Sequence, residues 1–179
     1  MILSLVAAAA FAQSGESRGS AFVWFPGVSS FVLAASEPGR HVYTKRVDAG
    51  IRWDEMIASW NAAGGKLKVS ARAIYQDRAT RSYVIGEWSP AERTSVGGQA
   101  DRDGDVLTDT LKLKQPASTV EITVEIRAAK PEQAAPTFIG LSFADTSAKP
   151  APLASSGDAW GPVLEPPRKS QLSYPNGAV

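Results

Sequence analysis

Apolar and polar residues alternate strictly in the segment Thr119-Val120-Glu121-Ile122-Thr123-Val124-Glu125-Ile126-Arg127. Because successive side chains of a β-strand point to opposite faces, this period of two predicts a strand with one buried and one solvated face. Residues 66–76 repeat the pattern, with Ile74 as the exception. Two half-buried strands need a covering layer, and we therefore expect Val69, Ala71, Val120, Ile122 and Val124 to point into a core between layers.

Further short apolar runs, bounded by Gly, Pro, Ser or Asp, predict strands at residues 21–25, 30–35, 41–47, 81–88, 106–114 and 137–144. About eight short strands at this spacing are typical of an antiparallel β-sandwich or jelly roll. The sequence therefore predicts an all-β fold, with two antiparallel sheets packed face to face between about residues 21 and 145.

Helical spacing occurs in residues 53–63, where Trp53, Met56, Ile57 and Trp60 could share one face and Gly64-Gly65 could end the helix. An extended conformation is the alternative for the same segment. The sequence alone leaves both open.

The chain of 179 residues is 44% hydrophobic and 21% charged, which fits one folded domain of ordinary size. The apolar run at residues 2–10, followed by the small-x-small pattern Ala10-Phe11-Ala12, predicts a signal peptide and short linker over residues 1–19. A buried N-terminal strand or helix is the alternative. Residues 20–148 are the predicted β-sandwich domain, and residues 149–179 form a Pro-rich linker. The expected location is secreted, either extracellular or periplasmic.

Charge and residue types disfavour several classes of function. The formal net charge of +1 gives no overall attraction to nucleic acid, and the N-terminal apolar run is shorter than the roughly 20 residues that span a bilayer. The chain has no cysteine and one histidine, so no thiolate nucleophile or thiolate metal site exists here. The segment Gly15-Glu16-Ser17-Arg18-Gly19 has the form of a nucleophile elbow, but no strand precedes it and no helix follows it. His41, its one available base, lies in a predicted strand.

The acidic segment Asp101-Arg102-Asp103-Gly104-Asp105, followed by Asp109, places oxygen ligands at alternate positions around a glycine. Calcium can use such a set, although the glycine comes earlier than in an EF-hand and Lys112 occupies the position of its bidentate glutamate. The alternative is a hairpin loop in which Asp and Gly supply turn geometry. We therefore predict no cofactor and favour the hairpin loop. A calcium site formed by Asp101, Asp103, Asp105 and Asp109 is the less favoured interpretation.

Aromatic residues form the other candidate site. Trp24, Trp53, Trp60 and Trp88, with several tyrosines, could line a sugar-stacking face, and Trp60 and Trp88 are the predicted ligand-facing members. Burial in the core of the sandwich is the favoured alternative for such residues.

Several separated blocks together resemble the N-terminal region of secreted bacterial proteins that carry a C-terminal peptidase C39-like domain, a papain-like cysteine peptidase. They are residues 53–62, Gly86-Glu87-Trp88-Ser89, residues 93–99 and residues 103–111, with Ser170-Gln171-Leu172-Ser173-Tyr174-Pro175 where the peptidase domain of that family starts. The resemblance implies that a catalytic cysteine follows the last block, within about ten codons after Val179, and pairs with a histidine well downstream. The resemblance supplies no catalytic residue for these 179 positions.

The sequence thus predicts a non-catalytic N-terminal accessory domain of a secreted cysteine-peptidase-like protein. Its expected partners are a downstream peptidase-like domain of the same protein and a protein or polysaccharide substrate, without nucleic acid and without a membrane span. The alternative is a carbohydrate-binding β-sandwich module of a secreted hydrolase. A small esterase that uses Ser17 is a third, disfavoured possibility.

Overall fold

The computed structural model describes residues 19–149, so the predicted signal peptide, Ser17 and nearly all of the predicted linker lie outside the described residues. The elements are β1 (Ser20–Phe25), β2 (Val32–Glu37), β3 (Arg40–Asn61), β4 (Lys66–Ile74), β5 (Tyr83–Ser89), β6 (Glu92–Thr94), β7 (Gly104–Leu107), β8 (Thr110–Arg127), α1 (Pro131–Ala134) and β9 (Phe138–Ala144). Every strand pairing is antiparallel. The predicted all-β antiparallel class is confirmed.

The strands form one continuous sheet with the order β1-β9-β3-β8-β4-β5-β6, in which β2 also pairs with β3 and β7 with β8. This sheet curls over so that its two parts pack against each other as two layers. The charged layer contains β2, β4, β5 and β6 with residues 40–48 of β3 and 119–127 of β8. The aromatic layer contains β1, β7 and β9 with residues 53–61 of β3 and 110–117 of β8. The expectation of two separate sheets was therefore wrong, because the two longest strands run through both layers.

Both long strands bend where they pass from one layer to the other. In β3 the register shifts between Asp48 and Trp53, and Gly50 adopts a positive φ of 72° while its N–H donates to Asp48 Oδ1 at 2.9 Å. A glycine at such a φ avoids the strain that a side chain would cause. In β8 the Tyr75 hydroxyl donates to the carbonyl of Gln115 at 2.6 Å beside the bend. These irregularities let the sheet curl over its own core.

Residues 53–61 form the second half of β3, and the extended alternative for this segment is confirmed. Met56 and Ala58 are buried while Ile57 and Ser59 are exposed, which is the alternation of a strand. The apolar residues have a helical spacing only by coincidence. Trp53 is separated from the following residues by a register shift, and Ile57 faces outward instead of sharing a buried face with Trp53 and Met56.

The core forms between the layers, as the alternating segments predicted. Val69, Ala71, Val120, Ile122 and Val124 are each at most 1% exposed. Some strand boundaries differ from the prediction: residues 106–114 divide between β7 and β8, and β6 was not predicted. Within residues 19–149, no helix is long and apolar enough to cross a membrane.

Candidate functional site

Asp101 anchors a tight turn in front of β7. Its Oδ1 accepts hydrogen bonds from the Tyr83 hydroxyl at 2.6 Å and from the main-chain N–H groups of Asp103 at 2.8 Å and Gly104 at 2.9 Å. Its Oδ2 lies 2.8 Å from Nε of Arg81. Both carboxylate oxygens therefore have partners from the protein itself, and the carboxylate closes the turn.

The other acidic residues of this segment point to different partners. Asp103 Oδ1 lies 2.8 Å from Arg78 Nη1, Asp105 accepts a hydrogen bond from the N–H of Val106, and Asp109 lies 3.6 Å from Arg93. Among residues 19–149, no group of three or more His, Cys, Asp or Glu side chains is placed to share a metal ion. Calcium binding by this segment stays a prediction, and the observed contacts support the alternative of a turn.

The contacts of Asp101 change its acidity. Burial of the carboxylate opposes ionisation, but hydrogen bonds from the Tyr83 hydroxyl and the N–H groups of Asp103 and Gly104, with the charge of Arg81, outweigh it. The pKa of Asp101 therefore falls from its ordinary 3.8 to about 2. Burial, together with the hydrogen bond to this carboxylate, raises the pKa of the Tyr83 hydroxyl above its ordinary value.

This lowered pKa predicts acid sensitivity of the fold. A carboxylate whose folded pKa lies below its unfolded pKa contributes stability that is fully present above about pH 4 and is lost as the pH falls towards about 2. We expect Asp101→Asn to unfold more easily at neutral pH and to lose less stability between these two pH values. Urea unfolding at stepped pH measures both quantities. Asp77→Asn, which changes an exposed carboxylate outside the turn, should keep the parental pH dependence; an equally steep fall in Asp101→Asn would contradict the assignment.

A groove of about 230 Å³ lies over one end of the charged layer. Its lining has three basic and three acidic side chains, and four of these six form pairs: Lys68 Nζ lies 3.9 Å from Glu87, and Arg127 Nε lies 2.6 Å from Glu125, which also lies 2.8 Å from Arg40 outside the groove. Charges of both signs thus neutralise each other, and the groove shows no preference for a ligand of either charge. Its lining residues are Lys66, Leu67, Lys68, Glu87, Trp88, Ser89, Glu92, Thr94, Glu125 and Arg127.

The two tryptophans predicted to face a ligand pack against the core. Trp88 is half-buried and forms part of the wall of the groove. Trp60 lies between the layers, where a Cβ atom on Gly86 would be only 3.1 Å from its Cη2. A ligand-facing role for Trp60 and Trp88 stays a prediction, and this packing supports the core alternative.

His41 has a serine neighbour, although Ser17 lies outside the described residues. Ser36 Oγ and His41 Nδ1 are 3.1 Å apart. They are directly opposite each other in the exposed hairpin of β2 and β3, so ordinary cross-strand pairing accounts for the contact. This exposed position does not provide the enclosed, oriented geometry that serine hydrolysis needs.

The two outer faces of the sandwich differ in chemistry. On the charged layer, Glu121 lies 3.3 Å from Arg46 and 2.6 Å from Arg72, which flank it on the neighbouring strands. Such cross-strand pairs of opposite charge are typical of a sheet face that is exposed to solvent. The aromatic layer exposes Phe22 at 47%, Trp24 at 45%, Ile57 at 42% and Leu107 at 51%, whereas the exposed large apolar residues of the charged layer, Val32 and Leu33, are confined to its edge strand β2.

We define the aromatic face as Phe22, Trp24, Ile57, Leu107 and Phe138. The strand register places Phe22, Ile57 and Leu107 in a single row that crosses all five strands of the layer. Trp24 stacks on Phe138, with ring centroids 6.3 Å apart and an angle of 21° between the rings. The same row also contains Ser142 and Thr110, and the next row on this side contains Glu55 and Lys112, which pair at 2.7 Å. The outward positions of β1 and β9 are therefore the uncharged part of the layer.

Gly140 makes this face flat. A Cβ atom there would lie 2.8 Å from Cζ of Phe138 and 2.9 Å from Cζ of Phe22. The two rings therefore lie over the backbone of Gly140, which is buried although it belongs to the outer surface. Aromatic side chains that cover a glycine also stabilise a strand, so part of this arrangement serves the fold.

Phe22 and Phe138 were not singled out from the sequence, and Trp24 was named only among the other aromatics. One signal was available in β1, which reads Ser-Ala-Phe-Val-Trp-Phe. Its apolar side chains occupy both faces, whereas a strand with one solvated face alternates. That pattern in an outer strand indicates a second contact surface beyond the core.

Comparison with known proteins gives one family. Residues 40–145 match the family model of the Peptidase C39 N-terminal domain, from the start of β3 to just beyond β9. No curated protein and no solved structure matches the chain. The match confirms the resemblance seen in the sequence blocks, and it leaves β1 and β2 outside the matched range.

Proposed function

The chain belongs to the Peptidase C39 N-terminal domain family, and from this premise we propose that it is the non-catalytic accessory domain of a secreted cysteine-peptidase-like protein. The single observation that carries the proposal is the family match over both long strands, in a chain without cysteine. A cysteine peptidase needs a thiolate nucleophile, and these 179 residues cannot supply one.

In this proposal the chemistry belongs to a downstream peptidase-like domain of the same protein. The accessory domain contributes to proteolysis by binding or positioning. Export follows from the N-terminal segment, whose apolar run and small-x-small site support a secreted, extracellular or periplasmic protein.

The purified chain should show no proteolysis of its own. We expect it to leave an unfolded protein substrate intact over hours, while papain degrades the same substrate in a parallel sample. It should also resist labelling by a fluorophosphonate, because the sequence around Ser17 does not follow the strand–turn–helix pattern of a nucleophile elbow and the exposed Ser36 has only a cross-strand contact with His41. Hydrolysis that co-purifies with the chain and disappears in Ser17→Ala or Ser36→Ala would overturn the proposal.

The aromatic face supports a second candidate, a carbohydrate-binding module. Flat aromatic rings can stack on sugar rings, and Phe22 and Trp24 are nearly half exposed on an uncharged surface. The residues to test for this function are therefore Phe22 and Trp24 rather than the core-packed Trp60 and Trp88. Retention on an insoluble polysaccharide that Trp24→Ala abolishes would favour this candidate.

A further inference from the structure

The edge strands of the described sheet differ in how they are protected. An edge strand presents main-chain N–H and C=O groups that can pair with another chain, and proteins usually block it with charges or proline. β2 carries Glu37, β6 carries Glu92 and Arg93, and β7 carries Asp105. By contrast, β1 contains neither a charged residue nor a proline, and in residues 19–149 it pairs with β9 alone.

The side chain of Gln99 covers main-chain groups of β5. Within the described residues, no side chain covers the main chain of β1 in this way. Gln99 Oε1 accepts from the N–H of Val84, and Gln99 Nε2 donates to the carbonyl of the same residue, both at 2.8 Å. Its amide thus pairs with β5 as a neighbouring strand residue would. Main-chain groups of β5 are thus covered by a side chain, whereas no residue from 19 to 149 covers the outer edge of β1.

The aromatic face begins at this same edge. Phe22 and Trp24 project outward from β1, and Val23 and Phe25 project into the core. A strand added beside β1 would extend the sheet, so its alternate side chains would lie beside Phe22 and Trp24. The outward positions of β1 and β9 carry no charged residue, which favours uncharged, apolar side chains beside Phe22 and Trp24.

We propose that β1 binds an extended polypeptide segment by strand addition, with apolar side chains at alternate positions resting against Phe22 and Trp24. Main-chain hydrogen bonds would provide much of the affinity, and the two aromatic side chains would select for apolar residues in the bound segment. The inference rests on the proposed function, because a protein with a peptidase-like domain handles polypeptide. A polysaccharide would stack on the rings but would not match the spacing of peptide groups along the edge.

The test uses the full chain, labelled with ¹⁵N, and a capped nine-residue peptide that alternates threonine with valine, phenylalanine and tyrosine. We expect chemical shift changes centred on β1 and the Trp24 indole. Two further peptides carry N-methyl groups on the odd or on the even residues. Because only alternate N–H groups of an added strand point to its neighbour, one methylated set should abolish binding and the other should be tolerated.

Protein variants locate the site. Trp24→Lys should weaken peptide binding about tenfold or more, because it places a charge on the contact surface. Val32→Lys is the matched control, since Val32 is 68% exposed on the edge strand β2, and its affinity should equal that of the parent. Amide spectra of both variants must show the parental fold.

Several results would overturn the proposal. These are absence of peptide binding, equal effects of the two methylated peptides, or equal affinity of Trp24→Lys and the parent. Concentration-dependent dimerisation without peptide binding would assign the edge to a second copy of the chain, and retention on polysaccharide without peptide binding would assign the face to carbohydrate. Mass spectrometry of the same samples detects peptide cleavage, so a failure of the non-catalytic assignment is separately visible.

Discussion

Trp53→Ala should lower the free energy of unfolding by about 3–5 kcal/mol, the range for removing a large aromatic side chain from a packed core. Trp53 is fully buried and pairs in register with Ala117, at the bend where β3 and β8 pass from one layer to the other. Its ring lies 5.3 Å from that of Phe143. The substitution would leave a cavity at the junction of the two layers, where several strands would have to move to fill it.

Urea unfolding followed by circular dichroism measures this effect, because the tryptophan change itself alters fluorescence. Trp24→Ala is the matched control, since it removes the same side chain from a position that is 45% exposed. Trp53→Phe should cost less than Trp53→Ala because it retains part of the side-chain volume, whereas both variants equally remove the buried Nε1 that has no partner among residues 19–149. Equal destabilisation by Trp53→Ala and Trp24→Ala would show that the bend does not depend on Trp53.

Gly104→Ala should destabilise the protein by about 1–3 kcal/mol, as overpacking of a close contact does. An added Cβ would lie 2.5 Å from the main-chain oxygen of Lys112 and 3.4 Å from the Tyr83 hydroxyl. The oxygen belongs to the neighbouring strand β8, so no change of side-chain rotamer relieves the collision. The substitution would push β7 away from β8 and disturb the turn that Asp101 closes.

The control for Gly104→Ala is Gly97→Ala, because an added Cβ at Gly97 meets no atom within 4 Å. We expect this variant to unfold within about 0.5 kcal/mol of the parent. Urea unfolding of the two variants under the same conditions separates the close approach of two strands from a general effect of removing glycine. A Gly104→Ala protein as stable as Gly97→Ala would mean that β7 can separate from β8 at little cost.

The acidic segment Asp101–Asp105 is an example of a motif that the sequence locates without deciding between two roles. Alternating Asp residues around Gly104 indicated either calcium ligands or a turn. The tertiary structure supplies Arg81 and Tyr83 from the region of β5 and Arg78 from the preceding loop as partners for Asp101 and Asp103. Sequence patterns do not reveal such partners, because these contacts join segments that are separated along the chain.

The surroundings of the aromatic candidates likewise depend on contacts between distant segments. Trp60 and Trp88 attract attention as large residues, yet both occupy inward positions of strands and pack on the core. Phe22, Trp24 and Phe138 form the exposed face because β1 and β9 pair at the outer edge of a layer and Gly140 lets the rings lie flat. Exposure of an aromatic residue depends on which strands neighbour it, and that order is not local information.

From the amino-acid sequence alone follow the all-β class, the inward residues of β4 and β8, the lack of a cysteine nucleophile and the resemblance to the peptidase C39 N-terminal region. These properties follow from residue types and from the period of two along single strands, which are local. Only the tertiary structure shows that both layers are one sheet, that residues 53–61 are a strand, and that within residues 19–149 the edge strand β1 borders an aromatic face. Each of these depends on the register between distant segments, above all of β3 with β8 and β9, and on the bends that let long strands serve two layers.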